Sequence, residues 1–567
     1  MTWSQPELPI VEDALSTQHP SLVLPGVTQV WLDRHVGPGG TDKLRGGYYT
    51  PEPIAEALAS WAVRQPTAKV LEPSAGDGIF VTAVVRRLGA RGRVDAQELF
   101  GEEAGRIRLR RAPNVSVTVG DAFTLHRGAD DGAYDAVVGN PPFIRYQSWP
   151  EQYRTRAFDV MHEAGLSPNR LTNAWVPFVV LATRALRPGG RLAMVLPAEL
   201  LSVSYAAELR NYLARSFETL WIVTFRKLTF ELVQQETLLV MGVKGSGPAR
   251  IALVELDGVQ DLTSWRPAAA PPARVELEHG REKWTQYYLT KKELGLVRAI
   301  ESSSSFPALG TLARVNVGIV TGQNAFFVMS PTQANAWRMR RKCLRIVSRT
   351  AQLPGLQLTP AEWERLVDAD QRCLLLQLGP EDRERLSEDA LAYVEHGERL
   401  GYHRGFKCRI REPTWWNVPS TQVPDGFMLR QVHEGPKVLV NRAGATCTDT
   451  VHRVFARPGT DVAQLAAASM NSVTFAFAEI RGRSYGGGVL ELEPTEAEGL
   501  PIPCHDTELP LDELDLWARR KEPEQVLAEV DRMVLLECGL STRDIELVKG
   551  IWRKLCERRL HRKHRSR

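Results

Sequence analysis

Asn140, Pro141, Pro142 and Phe143 follow one another directly after the apolar run Tyr134–Gly139. An apolar run of that length closed by a proline pair reads as a buried strand ending in a rigid turn. The turn offers two acceptors side by side, the Asn140 side-chain oxygen and the Pro141 carbonyl, with the Phe143 ring next to them. Those groups suit a planar amino group, whose N–H bonds are accepted while an aromatic face covers the ring that carries it. An amine conjugated to an aromatic ring is a poor nucleophile, because its lone pair is delocalised. Accepting both N–H bonds draws the nitrogen toward tetrahedral geometry and frees the lone pair. A group can then be transferred to it in line, by positioning and electrostatics and without a covalent intermediate on the protein.

A second set of residues lies upstream. Val70–Phe80 reads as strand, glycine turn and helix, with Glu72 at the strand's end and Gly76 and Gly78 in the turn. The glycines let the backbone approach a ligand closely. The third glycine of G-x-G-x-x-G is missing, so a pyrophosphate fits poorly. Glu72 is placed to hold an ammonium. Glu98 closes a second strand, Arg93–Glu98, where an acid can bind two ribose hydroxyls. Asp121 follows a third strand, Val115–Val119, and can accept from an adenine amino group while Phe123 lies on the ring. Together the three acids describe a pocket for an adenosine bearing an amino acid, which is S-adenosylmethionine. Thr50, in Gly46-Gly-Tyr-Tyr-Thr-Pro51, either caps the helix that follows or touches the methionine carboxylate.

These residues need a scaffold that gathers strand ends. From about residue 46 the pattern alternates strand and helix. Helices are predicted over 53–63, 79–88 and 175–186, and strands over 70–71, 93–98, 115–119, 133–138, 191–196, 220–223 and 237–243. That alternation predicts an α/β fold with a doubly wound, mostly parallel sheet, in which ligands bind beyond the carboxyl ends of the strands. Residues 1–45 form an N-terminal extension and 46–245 the catalytic domain. Residues 246–283, Gly/Pro-rich around a short strand, read as a linker. Residues 284–545 read as a second, mixed domain with helical and irregular parts. Residues 546–567 are a basic tail, either solvated or a phosphate-contacting arm.

The chain has 567 residues and a formal net charge of +4, too small for its size to argue nucleic-acid binding by itself. Its seven cysteines lack any C-x-x-C pair, which argues against a zinc site or disulfide framework and fits a reducing cytoplasm. No apolar run approaches the ~18 residues that span a bilayer, and the N-terminus lacks the pattern of a signal peptide.

In motif content and order, residues 46–243 resemble the N6-adenine DNA methyltransferases of the gamma class, found in bacterial restriction–modification systems. The resemblance implies the class I fold of S-adenosylmethionine-dependent methyltransferases, with a target-recognition domain after it. It implies that Tyr49, Thr50, Glu72, Ala75, Gly76, Glu98, Asp121 and Ala122 or Phe123 hold the cofactor. It implies that Asn140 and Pro141 act on the target amine of a base flipped out of double-stranded DNA. Phe143 would stack on one face of that base. Phe230 is expected on the other face, with Phe225 nearby as an alternative. The second domain is similar to the family at Val317–Phe327, at Met470–Gly488 and at Leu500–Pro503. Lys407–Asn417 mixes cations with aromatics, making Lys407, Arg409 and Arg411, with Arg145 beside the turn, the expected DNA contacts.

Other chemistries share parts of this pattern. N4-cytosine methylation uses the same amine chemistry, though those enzymes more often carry Ser in place of Asn140. RNA and protein-glutamine methyltransferases share the turn but rarely such a large trailing domain. A 5-position cytosine enzyme needs a cysteine nucleophile after proline, and Pro503-Cys504 lies far from the sheet. A non-catalytic DNA-binding subunit would not need Asn140, Glu72 and Asp121 intact. The N-terminal extension is too short for a nuclease of on the order of 100 residues. Cleavage is therefore expected to be the task of a separate restriction endonuclease, and the protein itself is expected to be a monomer.

Overall fold

One sheet of eight strands organises the first half of the chain. The strands are β1 (Lys69–Glu72), β2 (Arg93–Glu98), β3 (Val115–Val119), β4 (Tyr134–Gly139), β5 (Leu186–Pro197), β6 (Phe217–Phe225), β7 (Thr237–Lys244) and β8 (Arg250–Leu256). This is a computed structural model, and it describes residues 50–109, 112–125, 130–226, 236–267, 276–380, 382–485, 488–520 and 522–560. The 1–45 extension, Tyr49, Phe230 and residues 561–567 lie outside the described residues.

The strand order is β3-β2-β1-β4-β5-β7-β6-β8. Only β7 runs antiparallel to its neighbours, β5 and β6; the remaining pairs are parallel. The order reverses between β1 and β4, so the crevice at their carboxyl ends is the switch point where such sheets bind ligands.

Both faces of the sheet are buried, which is why its central strands read as unbroken apolar runs. Ala136, Val138, Ala193, Val195 and Val223 pack with Ile54, Leu58, Phe80 and Val84 from the helices Glu52–Ala62 and Ile79–Val85. Val137, Leu192, Met194, Leu196 and Ile222 point the other way, onto Val176, Val179 and Val180 of the helix Trp175–Ala185. Each fully buried aliphatic side chain contributes roughly 1.5–3 kcal/mol. Lys244 Nζ closes the carboxyl end of the helix Trp175–Ala185, donating to Thr183 O at 2.7 Å and Leu186 O at 2.6 Å.

The stretch 246–283, expected as a linker, is corrected over much of its length. β8 pairs in parallel with β6 from Thr219↔Arg250 to Phe225↔Leu256. Ile251 and Leu253 join one core while Ala252 joins the other. The helix Val259–Ser264 then returns to the sheet through Leu262. Without β8, β6 would be an open edge.

The second half has two cores. A five-stranded and a four-stranded sheet stand beside a group of helices that includes Val462–Ala468, Ser472–Arg481, Pro523–Val530 and Thr542–Leu560. The expected basic tail is corrected as well, because residues 542–560 are a packed helix. Arg559 is 2% exposed and donates Nε to Glu479 Oε2 at 3.1 Å. Arg558 lies 3.8 Å over the Tyr288 ring, pairs with Glu255 and stands 3.6 Å from Glu236. Lys554 pairs with Glu293 at 2.8 Å. These cations answer buried carboxylates, some of them in the catalytic sheet, and are not a solvated arm.

Candidate functional site

The carboxyl ends of β1, β2, β3 and β4 deliver the predicted residues to one edge. Beyond β1 the chain turns sharply: Gly78 N donates to Ala75 O at 2.8 Å, and Gly76 takes φ +52° and Gly78 φ +77°. A Cβ built on Gly76 would meet nothing within 4 Å, so open space lies against this backbone. Glu98, 8% exposed, braces the turn from β2. Its Oε2 accepts from Gly76 N at 2.8 Å and its Oε1 from Phe100 N at 2.9 Å. Glu72 is buried at the base of the same turn. From the end of β3, Asp121 accepts from Phe123 N at 3.2 Å and from Thr124 Oγ1 at 3.0 Å. Arg156 stands 3.6 Å from it.

Burial holds the carboxyl of Glu98 above its ordinary value, against the N–H groups of Phe100 and Gly76, which lower it. Burial likewise raises Asp121, against Thr124, Phe123 and Arg156. An ionised carboxylate can accept with both oxygens, whereas a protonated one gives up an oxygen to its proton. Binding of S-adenosylhomocysteine is therefore expected to hold steady at neutral pH and to fall on acidification. The fall should begin above the ~4 at which exposed carboxylates titrate, and approach tenfold per pH unit per group. Calorimetric titration across mildly acidic pH checks this, and affinity that stayed flat down to the ordinary carboxylate range would contradict it.

At the end of β4, Asn140 Nδ2 donates to Thr50 Oγ1 at 3.2 Å. Thr50 therefore does not cap the helix that follows it. The helix Glu52–Ala62 has no side-chain cap, and the buried hydroxyl serves the Asn140 amide instead. With Nδ2 turned to Thr50, Oδ1 on the other arm of the amide is the atom able to accept an N–H. Ser74 Oγ donates to the Asn140 carbonyl at 3.4 Å, joining the β1 turn to the β4 turn. Phe143 is buried in the core beneath.

Phe123 is buried too, its ring 4.7 Å from Phe178 and 6.3 Å from Trp149. Phe178 had no signal of its own inside an apolar helix, yet the crossover from β4 to β5 brings that helix's amino end to the ligand edge. Asn173 is another residue the sequence did not single out. It is 6% exposed, its Oδ1 has no hydrogen-bond partner among the described residues, and the next residue, Ala174, donates N–H to Ile144 O at 2.9 Å.

The expected DNA contacts divide. Arg145, Lys407 and Arg409 are exposed. Arg411 is not available: Nε donates to Lys407 O at 2.8 Å, Nη1 to Asn417 O at 2.9 Å and Nη2 to Thr321 O. Its fork braces the 407–417 loop, which corrects its assignment as a contact. Among the described residues no cluster of His, Cys, Asp and Glu could hold a metal, and no helix is long and apolar enough to cross a membrane.

A doubly wound sheet with one antiparallel strand, a glycine turn after β1 and acids on successive strand ends define an S-adenosylmethionine-dependent methyltransferase. The acids suit a cationic, nucleoside-bearing cofactor and oppose an anionic one. A family model described as the Eco57I restriction-modification methylase matches residues 99–230. A second, the C-terminal domain of the type II methyltransferase M.Eco57I, matches residues 281–535. Both models describe type II restriction–modification methyltransferases, and the two together span most of the chain. It is 20% identical over 469 residues to the type II methyltransferase M.AccI of Acinetobacter calcoaceticus, covering 79% of this chain and 83% of that one. To M.XamI of Xanthomonas campestris pv. amaranthicola it is 24% identical over 479 residues, 81% of this chain and 85% of that one. Among solved structures it is similar to the type IIG restriction endonuclease BpuSI, at 13% identity over 91% of this chain and 66% of that one, with a TM-score of 0.39.

Proposed function

We propose that the protein methylates N6 of adenine in double-stranded DNA at a specific sequence, acting on a base turned out of the duplex. The observation that carries this is the Asn140 amide, held by Thr50 beside the acid-lined crevice. When bound, S-adenosylmethionine supplies the methyl group of a sulfonium. Glu98 would hold the ribose, Asp121 the adenine amine and Glu72 the ammonium. Asn140 Oδ1 and the Pro141 carbonyl would accept the two N–H bonds of the target amine. Phe143, at the end of the same turn, would support the base from one side. The second domain would select the sequence, and the protein would act as a monomer alongside a separate endonuclease.

The test incubates purified protein with DNA and a methyl-labelled donor, then digests the DNA to nucleosides. Label in N6-methyladenine supports the reading. Label in cytosine, RNA or protein overturns it.

Lys407 and Arg409 would contact phosphates. The double variant Lys407→Ala, Arg409→Ala is expected to bind duplex DNA about tenfold more weakly near 0.1 M salt. Its log-affinity against log-salt slope should be shallower by roughly 2, with donor binding unchanged. Fluorescence anisotropy across a salt series checks this. Arg411→Ala should instead lower thermal stability, since it leaves three carbonyl groups without their donor.

A further inference from the structure

The segment between the helices Glu151–Glu163 and Trp175–Ala185 carries a feature that cofactor and amine binding do not use. Leu171 is 62% exposed. Its position is fixed by a tight polar turn. Thr172 N donates to Asn169 O at 3.0 Å, Leu171 N to Asn169 Oδ1 at 2.8 Å, and Asn169 N to Thr172 Oγ1 at 2.9 Å. Thr172 is 1% exposed, so the turn is rooted in the core while its apolar tip faces solvent. A turn tied by three hydrogen bonds holds the leucine in one place, so it can meet a partner at little cost in chain ordering.

Topology says where the tip stands. In the parallel crossover from β4 to β5 the intervening helix begins at the carboxyl edge of the sheet, the edge that holds Asn140. The link is direct: Ala174 N donates to Ile144 O, one residue beyond Phe143. Two guanidinium groups accompany the leucine, Arg170 beside it in sequence and Arg145 next to Ile144. Both are exposed, and among the described residues neither side chain makes an ion pair or a hydrogen bond. Free cations around a rigid apolar tip suit a polyanion with an apolar interior, which is a duplex with its stacked bases.

We propose that Leu171 is a wedge that enters the base stack next to the target base and holds the duplex open, with Arg145 and Arg170 on flanking phosphates. This rests on the function proposed above. Leu171 is a positioning residue: it acts on the supply of extruded base and touches neither the amine nor the cofactor.

The test compares two duplexes bearing the sequence that the wild-type protein modifies. One has a normal base pair at the target, and the other an abasic site opposite it, so that the target base is no longer held by pairing. Single-turnover methylation is measured for wild type, Leu171→Ala and Leu171→Met, with S-adenosylhomocysteine binding as the check on folding. Leu171→Ala is expected to slow the paired duplex by about tenfold to a hundredfold, and the abasic duplex by less than about twofold, since little unstacking work remains there. Leu171→Met, which keeps an apolar tip, should stay near wild type on both. Equal slowing of Leu171→Ala on the two duplexes, or none on either, overturns the wedge while leaving the methylation reading intact. A wild-type protein that labels no DNA overturns that reading and the wedge with it.

Discussion

Asn140→Ala should bind S-adenosylhomocysteine as the parent does and methylate DNA about a thousandfold more slowly, at saturating concentrations of both substrates. The side-chain amide donates Nδ2 to Thr50 at the end of β4. Its loss costs the fold about 1 kcal/mol and leaves the β1 and β2 turns untouched. The amine is a different matter. It becomes a nucleophile only when acceptors pull on its N–H bonds, and that pull matters most as positive charge develops on nitrogen. Removing a preorganised group of this kind costs about 10²–10³ in turnover. The check is a pair of measurements on one preparation, calorimetry for the ligand and single-turnover kinetics for the methyl group. Parallel loss of both would make the turn a structural element and not a catalytic one.

Glu98→Ala should produce the complementary result. Here affinity for the cofactor product falls by about a hundredfold or more, while turnover at saturating donor recovers much of its value. Two effects add. On the proposed function the ribose would lose its acceptor, and the N–H groups of Gly76 and Phe100 lose the carboxylate that orients them. Buried donors stripped of a partner cost about 1–3 kcal/mol each. Glu98→Gln should not rescue the site, because its amide nitrogen would face one of those two N–H groups. A donor KM raised by a hundredfold with kcat near normal is the signature. A collapse of kcat at saturating donor would place Glu98 in the chemistry.

Much of the catalytic half was legible because β1 and β4 are covered on both faces and therefore spell themselves as short apolar runs, ending at Glu72 and Asn140. β8 has the same character but sits between Gly/Pro-rich stretches, and nothing local distinguishes a strand in a linker from one that pairs with β6. The arginines were the least legible. Arg411 looked like a reader of phosphate because its three partners are backbone carbonyls, which carry no signal in sequence. Arg558 and Arg559 looked like a tail because Glu479 lies 80 residues upstream of Arg559, and Glu255 lies 303 upstream of Arg558. Phe178 was hidden for another reason: in a helix buried nearly all round, an aromatic that packs on Phe123 is spelled like any other core residue.

That last pairing has a consequence for how the molecule is made. Arg558 reaches Glu255 across 303 residues, and the sheet that contains Glu255 is complete long before Arg558 is synthesised. At ~5–20 residues per second the ribosome takes roughly 15–60 s to cover that gap, far longer than a domain of this size needs to fold. The sheet therefore emerges first, and Arg558 reaches Glu255 only when the last helix has been made. Joining the two halves is a late step in biosynthesis.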